Sequence, residues 1–413
     1  MVPTLEYIMS GTSYTRMVTA DDFDDTELLV MLDKIYGRIP QLTDHKFGIL
    51  YNAFTEPRAS KTIVKLKSLH SIHADSGGLQ IITRGMSATD LIKDKIYRNQ
   101  AEYADLGMCF DEIPIDVVGN SSARNDIFNR IFDVTLLESK ARETGRNITR
   151  QIEIFLEEKS KCKPILIAQG NCYDTYMKWV DYILDEIPSD MHQYIGGVAM
   201  GGAALGTGML EDIERAFIYS QLPIEKTHLH ILGVGSVRRM LPYLAFMKNG
   251  LYTNESISYD STTHSSGIEL GSYFHGSRLK SYKRSFGSLH DTMYNESNLV
   301  YNVGIDIKEL FKILNISRMG YEGNGGDGVI WRAARVAVIS SSIINFCRHV
   351  DKIVKDDNMY FNACNTKGTE PVKGLLEVHN LRSFNKWKTH AGRFIKSSRV
   401  NTMITNNLEG FFE

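Results

Sequence analysis

Short apolar runs rich in β-branched residues alternate along the chain with longer segments whose apolar residues recur at helical spacing. Segments such as ATDLIKDKIYRNQAEYADL and YDTYMKWVDYILDEI lie between these runs. Strands that alternate with helices predict an α/β protein with βαβ units and a parallel sheet. Seven or eight units in about 280 residues match the size of a (β/α)8 TIM barrel with insertions. In chain order the runs are FGILYNAF, SIHADSGG, LGMCFDEIP, PILIAQGN, YIGGVAMGG, HLHILGVGS and SISYDSTT.

The pattern changes after residue 270. A basic and aromatic stretch, RLKSYKRSF, is followed by a glycine cluster and then by WRAARVAVISSSIINFCRHVDKIV, whose apolar spacing predicts a long helix over 331–354. Near the end of the chain, LRSFNKWKTHAGRFIKSSR carries six Lys or Arg residues and no acid. We therefore expect a TIM-barrel domain with insertions over 1–330 and a helical C-terminal subdomain with a basic tail over 331–413.

Composition excludes several classes of protein. Of the 413 residues, 43% are hydrophobic and 23% are charged, close to globular averages, which excludes a largely disordered chain. We find neither a run of about 18 uncharged apolar residues nor a basic-then-apolar leader, so we expect no membrane-spanning or secreted protein. Five widely spaced cysteines fit a reducing cytoplasm. With a net charge of −2, any nucleic acid partner must be bound by a local basic patch.

Nearly every predicted strand ends in a residue that can do chemistry or that leaves room for a ligand: Asp75, Asp111, Gln169, Gly197, Gly235 and Asp260. A barrel gathers the carboxyl ends of its strands on one face, where barrel active sites are built. A single aspartate after a strand is usually a turn or capping residue. Two carboxylates across a barrel mouth, however, suit glycosidic-bond chemistry, in which one attacks or stabilises the anomeric carbon and the other moves protons.

Six of these motifs occur in an order that resembles a known family. HADSGGLQ, MCFDEIP, ILIAQGN, YIGGVAMGG, LGVGS and SYDSTT are similar to the barrel motifs DSGGFQ, FDE, VQGG, IGGLAVGE, MGVG and a later nucleophilic aspartate of the tRNA-guanine transglycosylase superfamily. The resemblance spans roughly residues 47–270. It implies a (β/α)8 barrel, in agreement with the hydrophobic pattern, and a base exchange that needs neither a metal nor a nucleotide cofactor.

The resemblance also implies roles for individual residues. Asp260 resembles the nucleophile that takes C1′ of the ribose, and Asp75 resembles the acid/base residue that contacts the incoming base. Asp111 resembles the aspartate that reads the Watson–Crick edge of guanine, and Gln169 the glutamine at the carbonyl region of the base. Gly197 resembles a glycine whose backbone lies against the ligand. The predicted substrate-binding set is Ser76, Gly77, Asp111, Gln169, Gly196 and Gly197.

Several departures from the superfamily motifs concern tRNA recognition. Residues 261–264 replace a Pro-Thr-Arg stretch after the nucleophile, and the CxCxxC zinc triplet is missing. We predict no metal, although a zinc site built on Cys347, Cys364 and His379 with one further group stays open. This pattern resembles the DNA-acting branch of the superfamily in phages and bacteria. Its members insert 7-deazaguanines, such as 7-cyano-7-deazaguanine (preQ0), into DNA.

Two basic stretches are candidate contacts to nucleic acid. Aromatic residues are interleaved with the charges, as expected of a surface that holds a flipped or single-stranded nucleotide. A solvated basic surface is the alternative for each stretch. The predicted contacts are Arg278, Lys280, Lys283 and Arg284 in the first stretch, and Lys386 and Lys388 in the second.

The sequence therefore predicts a cytoplasmic DNA-guanine transglycosylase, acting in the host cytoplasm if the gene belongs to a phage. A tRNA-guanine transglycosylase with an eroded zinc site is one alternative, and a non-catalytic partner subunit that binds nucleic acid is another. An unrelated barrel glycosidase or phosphate-sugar enzyme is a third, for which a wide polar groove is expected in place of a flat purine slot. Dimerisation is common in the superfamily, but nothing in the sequence fixes the interface of a homodimer.

Overall fold

Eight parallel strands close into a barrel in chain order, with β8 bonded back to β1. The computed structural model describes residues 4–10, 25–43, 45–57, 63, 70–114, 133–201, 209–224, 228–253, 256–262, 272–275, 278–281, 307–315, 329–365 and 369–394. The predicted (β/α)8 barrel is confirmed. Its strands are β1 (Thr4–Ser10), β2 (Gly48–Asn52), β3 (Ile72–Asp75), β4 (Leu106–Met108), β5 (Lys163–Ala168), β6 (Gly197–Met200), β7 (His228–Ile231) and β8 (Ser256–Ser261).

Helices alternate with these strands, and an antiparallel pair, β9 (Ser272–His275) and β10 (Arg278–Ser281), follows β8. Within the described residues, four 3-10 segments cover Pro40–Leu42, Val134–Leu136, Ser189–Tyr194 and Glu370–Glu377. The helices of the described ranges are α1 (Asp25–Arg38), α2 (Gly78–Thr83), α3 (Asp90–Tyr103), α4 (Leu137–Glu157), α5 (Tyr173–Glu186), α6 (Met209–Gln221), α7 (Val237–Lys248), α8 (Ile307–Ile313), α9 (Val329–Lys355), α10 (Asp357–Ala363) and α11 (Leu381–Phe394).

The barrel strands are buried on both faces, because helices cover the outside and side chains fill the inside. In β5 every residue from Pro164 to Ala168 is buried, and only the first residue, Lys163, is exposed. The pairing register sets which residues share a level. Asn52 of β2 lies opposite Asp75 of β3, and Ile8 of β1 lies opposite Asp260 of β8.

Helix α9 completes the ring of helices around the barrel. It packs against α1, α7 and β1. Its Phe346 ring lies 5.7 Å from the Tyr7 ring on β1 and 6.0 Å from the Tyr259 ring on β8. These are the neighbours of the helix that follows β8 in a (β/α)8 barrel. The predicted boundary between 330 and 331 falls inside α9, a helix that packs against the barrel.

The described residues that follow α9, up to residue 394, pack on the outside of the barrel. Phe384 of α11 stacks on Phe217 of α6 with ring centroids 4.0 Å apart. Asn249, just after α7, donates to the Leu375 carbonyl at 3.2 Å and to the Val378 carbonyl. These contacts join the C-terminal region and the barrel in one hydrophobic core. Within the described ranges, no helix combines the length and the apolar character needed to cross a membrane.

Candidate active site

The structure brings four of the predicted site residues to one end of the barrel, which we call the mouth. Asp75 is the last residue of β3, Asp260 is the last but one of β8, and Gln169 directly follows β5. Asp111 lies three residues beyond the end of β4. All four therefore stand at carboxyl ends of parallel strands, the usual place of catalytic groups in this fold.

Asp75 is held by hydrogen-bond donors from its own turn and from the neighbouring strand. Its Oδ2 accepts from Nδ2 of Asn52 at 3.0 Å, and its carboxylate also accepts from the backbone N–H groups of Gly77 and Ser76. Burial raises the pKa of Asp75 to about 6, and the charge of Asp260 adds to that rise against the lowering effect of the donors. A carboxyl group with this pKa can give or take a proton near neutral pH.

The turn after Asp75 requires a glycine at position 77. Gly77 has a φ of +77°, in the left-handed region, and a Cβ there would lie 2.7 Å from both Asn52 Oδ1 and Phe54 Cβ. Asn52 Oδ1 in turn accepts from the backbone N–H groups of Phe54 at 3.1 Å and Thr55 at 2.8 Å. Asn52 therefore couples the end of β2 to the Asp75 carboxylate, a role that our sequence analysis missed.

Asp111 and Gln169 form a second polar pair at the mouth. Both are buried, and Nε2 of Gln169 donates to Oδ2 of Asp111 at 2.5 Å. Burial raises the pKa of Asp111 to about 7, and the charge of Asp75 contributes in the same direction. The Gln169 side chain lies so close to Gly201, after β6, that a Cβ on Gly201 would overlap it. The pair presents one carboxylate and one amide to the same space, a set of groups that can bond the edge of a planar base.

Glu112, the neighbour of Asp111, takes no part in this pair. Its Oε1 accepts from the buried Lys93 at 3.0 Å, and its Oε2 from Lys140 at 3.4 Å. Lys93 also donates to Asn147 of α4 at 3.0 Å. The positive charge of Lys93 is the main influence that holds the pKa of Glu112 below its ordinary value against the effect of burial. Glu112 is therefore an ion-pair partner that ties the loop after β4 to α3 and α4.

Asp260 receives donors from the loop after β7. The backbone N–H of Gly233 donates to Asp260 Oδ1 at 2.6 Å, and Gly233 adopts a left-handed φ of +72° to do so. The Gly233 carbonyl accepts from Arg239 at 2.6 Å, and Arg239 makes a two-point ion pair with the fully buried Asp212 at 2.9 and 2.8 Å. The Asp260 residue is 6% exposed, and the Gly233 N–H binds one of its two carboxylate oxygens.

The structure does not bring Gly196 and Gly197 to the mouth, so that part of the predicted substrate site is corrected. Gly197 is the first residue of β6 and pairs with Ile165, low in β5. A Cβ on Gly196 would lie 2.5 Å from Lys163 Cβ, and one on Gly197 would overlap the His228 carbonyl. Both glycines allow close packing between strands. The glycine at the carboxyl end of β6 is Gly201.

The predicted nucleic-acid contacts are described only in part. Arg278 and Lys280 lie on β10, whereas Lys283 and Arg284 fall outside the described residues. Lys386 of α11 is exposed. The side chain of Lys388 is 15% exposed, and its Nζ lies 3.7 Å from Glu214 Oε1 on α6. A protein carboxylate therefore already faces the Lys388 charge, and Lys386 is the better placed of the two to meet a phosphate.

The three residues named for a possible zinc site do not lie together: two are buried in different places, and one is exposed. Cys347 lies beside Tyr259 and Cys364 beside Tyr360, and burial raises the pKa of both thiols. His379 is exposed just before α11. In the part of the chain that the structure describes, no three His, Cys, Asp or Glu side chains are grouped so that they could hold a metal ion.

Taken together, the mouth holds three carboxylates with different surroundings. Asp260 has a backbone donor on one oxygen, Asp75 has a pKa near neutrality, and Asp111 is paired with an amide. The charge of Asp260 acts on Asp75, and the charge of Asp75 acts on Asp111. Such a site can attack an electrophilic carbon with one carboxylate and move a proton with the next. Neither protein-family models nor curated protein sequences give a match to this chain.

Proposed function

We propose that the protein is a guanine transglycosylase that exchanges guanine in DNA for a 7-deazaguanine such as preQ0. The observation that carries the proposal is the gathering of three carboxylates, Asp75, Asp111 and Asp260, at the carboxyl ends of the barrel strands, where the charge of Asp260 acts on Asp75 and that of Asp75 on Asp111. The order of the motifs that hold these residues, and their resemblance to the transglycosylase superfamily, support it. In this proposal Asp111 and Gln169 bind the edge of guanine, and Asp260 and Asp75 act at its glycosidic bond.

The first half of the reaction forms a glycosyl ester. The free oxygen of Asp260 attacks C1′ of the deoxyribose as the bond from C1′ to N9 breaks, and the electron pair of that bond leaves with guanine. Protonated Asp75 supplies a proton to the departing base. The negative charge of Asp260 disappears when the ester forms, and that charge is one cause of the raised pKa of Asp75. Ester formation therefore makes Asp75 a stronger acid at the moment when the proton is needed.

The second half reverses these steps with the incoming base. Ionised Asp75 takes the N9 proton of the 7-deazaguanine as N9 attacks C1′ and Asp260 leaves as a carboxylate. Gly233 N–H receives the returning charge on Oδ1. Two displacements at the same carbon retain its configuration.

Recognition of the base follows from the chemistry of the Asp111 pair. An ionised Asp111 accepts from N1–H and the exocyclic amine of guanine, and the Gln169 amide can donate to the neighbouring carbonyl. A 7-deazaguanine has the same edge, so the site accepts both the leaving and the incoming base. The nucleotide must be flipped or single-stranded to reach a barrel mouth.

The test is base exchange with the purified protein. Labelled guanine or preQ0 is offered in parallel with double-stranded DNA, single-stranded DNA and tRNA. We expect label to enter DNA, and Asp260→Ala to abolish it. Asp105→Asn is the matched control, because Asp105 is a half-buried carboxylate that bonds the Ile72 N–H at the opposite end of the barrel.

Other outcomes separate the alternatives. Label in tRNA alone would assign the protein to the tRNA-acting enzymes. Failure of exchange with every acceptor, together with tight binding of nucleic acid, would contradict the proposal and favour a non-catalytic partner subunit.

A further inference from the structure

A chain of polar side chains runs inside the barrel from the opposite end up to Asp260. It alternates between two neighbouring strands, β7 and β8. His228 Nδ1 lies 2.7 Å from Ser256 Oγ, and His228 Nε2 lies 2.7 Å from Ser258 Oγ. Ser258 Oγ is also 2.7 Å from His230 Nδ1. The second ring nitrogen of His230, Nε2, lies 3.5 Å from Asp260 Oδ1.

The pairing of β7 with β8 explains this chain. His228 pairs with Ser256 and His230 with Ser258. Because side chains alternate between the two faces of a strand, these four residues and Asp260 point into the barrel on successive levels. His230 and Ser258 are completely buried. Barrel interiors are usually filled by branched apolar side chains, and burying polar groups is costly unless they are hydrogen-bonded.

The bonds of the chain restrict where its protons lie. A serine hydroxyl has one hydrogen, so Ser258 can donate to one of its two histidine partners and must accept from the other. Burial lowers the pKa of His228 to about 3, so its ring is neutral and carries a single N–H at physiological pH. For a neutral His230, the hydrogen bonds along these polar side chains can then run in either of two directions. In one direction the ring hydrogen of His230 is on Nε2, and in the other it is on Nδ1.

The carboxylate of Asp260 selects between these two directions. With the hydrogen on Nδ1, the lone pair of Nε2 would face the negative oxygen, which is repulsive. With the hydrogen on Nε2, every hydroxyl and N–H from Ser256 to His230 points toward Asp260, and successive bonds polarise one another. A protonated His230 ring also carries a hydrogen on Nε2. The direction of this contact is therefore the same for either charge of the ring.

We propose that His230 is a positioning residue for the nucleophile, donating its Nε2–H to Oδ1 of Asp260. This inference rests on the proposed function, in which Asp260 attacks C1′. Gly233 N–H already binds Oδ1, so a second donor there leaves Oδ2 as the oxygen free to attack. The 3.5 Å separation is long for a hydrogen bond, as catalytic contacts often are before substrate binds.

Two further contacts support a fixed His230. Tyr219 of α6 donates its hydroxyl to the His230 carbonyl and accepts from the Met200 N–H at 2.6 Å, which ties the backbone of β7 at His230 to β6 and α6. Among the described residues, His230 Nε2 is buried and has no hydrogen-bond partner. Asp260 is the acceptor that it faces.

The kinetic test compares variants that keep or remove the donor. His230→Leu should lower kcat for guanine exchange about 10- to 100-fold, because a hydrogen bond to a charged group is lost. KM for the base should stay within about twofold, since the Asp111 pair is untouched. His230→Gln restores an N–H near the position of Nε2 and should recover part of kcat. Ser258→Ala removes the hydroxyl that orients the ring and should also lower kcat.

A matched serine provides the control. Ser71→Ala removes a hydroxyl that bonds Glu6 Oε1 at 2.7 Å and is not part of the chain. It should leave kcat unchanged. Equal losses in Ser71→Ala and Ser258→Ala, or no loss in His230→Leu, would overturn the proposal.

A spectroscopic readout does not depend on activity. The protein is labelled with 15N in its histidine rings, and the His230 signals are identified as those that disappear in His230→Gln. In the wild type, the chemical shifts of these signals should show a hydrogen on Nε2. They should move in Asp260→Ala, which removes the acceptor. A neutral ring with its hydrogen on Nδ1 would contradict the proposal. If the wild type exchanges no base, the proposed function fails, and these spectra still decide whether His230 donates to Asp260.

Discussion

On the β2–β5 side of the mouth, burial raises the pKa of Asp75 to about 6 and that of Asp111 to about 7. On the β7–β8 side, Asp260 receives the Gly233 N–H at 2.6 Å and faces the ring of His230. The first two carboxyl groups are therefore suited to exchanging protons and to bonding a base. The third has one oxygen bound by the Gly233 N–H, which leaves the other for attack in the proposed reaction. Three aspartates that look alike in the sequence are separated by their surroundings.

Among the variants predicted here, the one that removes the carboxyl group of Asp75 should show the largest loss of activity. In Asp75→Asn, release of guanine from DNA should fall at least about 100-fold, the usual contribution of a general acid. In the wild type, release should decline as the pH rises above about 6, because the protonated carboxyl group is required. Single-turnover release measured between pH 5 and 8 checks both statements. A decline that persists in Asp75→Asn would assign the titration to another group.

Replacing Asp111 should affect the binding of the base more than the chemical step. Asp111→Asn should raise KM for guanine about 10-fold or more, since the bonds to N1–H and the exocyclic amine need a carboxylate. Wild-type KM should fall as the pH rises through about 7, where Asp111 ionises, and KM of the variant should not. A loss of about 10-fold in kcat, with an unchanged KM for guanine, would contradict the role of Asp111 in binding the base.

The raised pKa of Asp111 also predicts that the stability of the folded protein depends on pH. The pKa of Asp111 in the folded protein lies above its ordinary value, so the folded state holds this proton more tightly than the unfolded state. The resulting stabilisation is complete below about pH 4 and is lost as the pH rises through about 7. Asp111→Asn should therefore raise Tm relative to the wild type at pH 8 by more than it does at pH 5. Thermal unfolding at the two pH values measures the difference.

Removing a donor to Asp75 should have a smaller effect. Asn52→Ala removes the 3.0 Å bond to Oδ2, so the pKa of Asp75 should rise further and the decline in guanine release should move up by as much as about one pH unit. Asn249→Ala is the matched control, because it removes amide bonds to the C-terminal region far from the mouth. A pH profile that stays in place in Asn52→Ala would contradict the coupling of β2 to Asp75.

Substitutions on the basic surface of α11 should have the smallest effects, and these should appear in the affinity for DNA. Lys386→Gln should weaken DNA binding a few-fold and lower the salt dependence by about one released ion. Lys388→Gln should do less, because Glu214 already faces the Lys388 charge. Titrations at several salt concentrations compare the two variants. A larger loss in Lys388→Gln would show that its ion pair opens when DNA binds.

Much of the site followed from the ends of the apolar runs. Asp75, Asp111, Gln169 and Asp260 each come at or just after a strand, and parallel strands gather those ends. The glycines were harder to assign. YIGGVAMGG holds two glycine pairs, and hydrophobicity alone does not tell which pair opens the strand and which closes it. The register shows that Gly197 opens β6, where its missing side chain makes room for the neighbouring strand.

Residues that act across strands were not visible in the sequence. Asn52 and His230 matter through partners on the next strand, 23 and 30 positions away along the chain. An inward-facing polar residue near the end of a strand was the available signal for both. Helix α9 is separated from β8 by residues 262–328, so in the sequence its helical pattern resembles the start of another domain.

The most direct test of the account is the covalent bond between Asp260 and DNA. Wild-type protein, mixed with a short guanine-containing DNA strand and denatured, should carry the mass of the strand minus one guanine on the peptide that contains Asp260. Asp260→Asn should carry none, and added preQ0 should discharge the wild-type adduct. An adduct on another residue, or guanine exchange at the wild-type rate in Asp260→Asn, would contradict the assignment of Asp260 as the nucleophile.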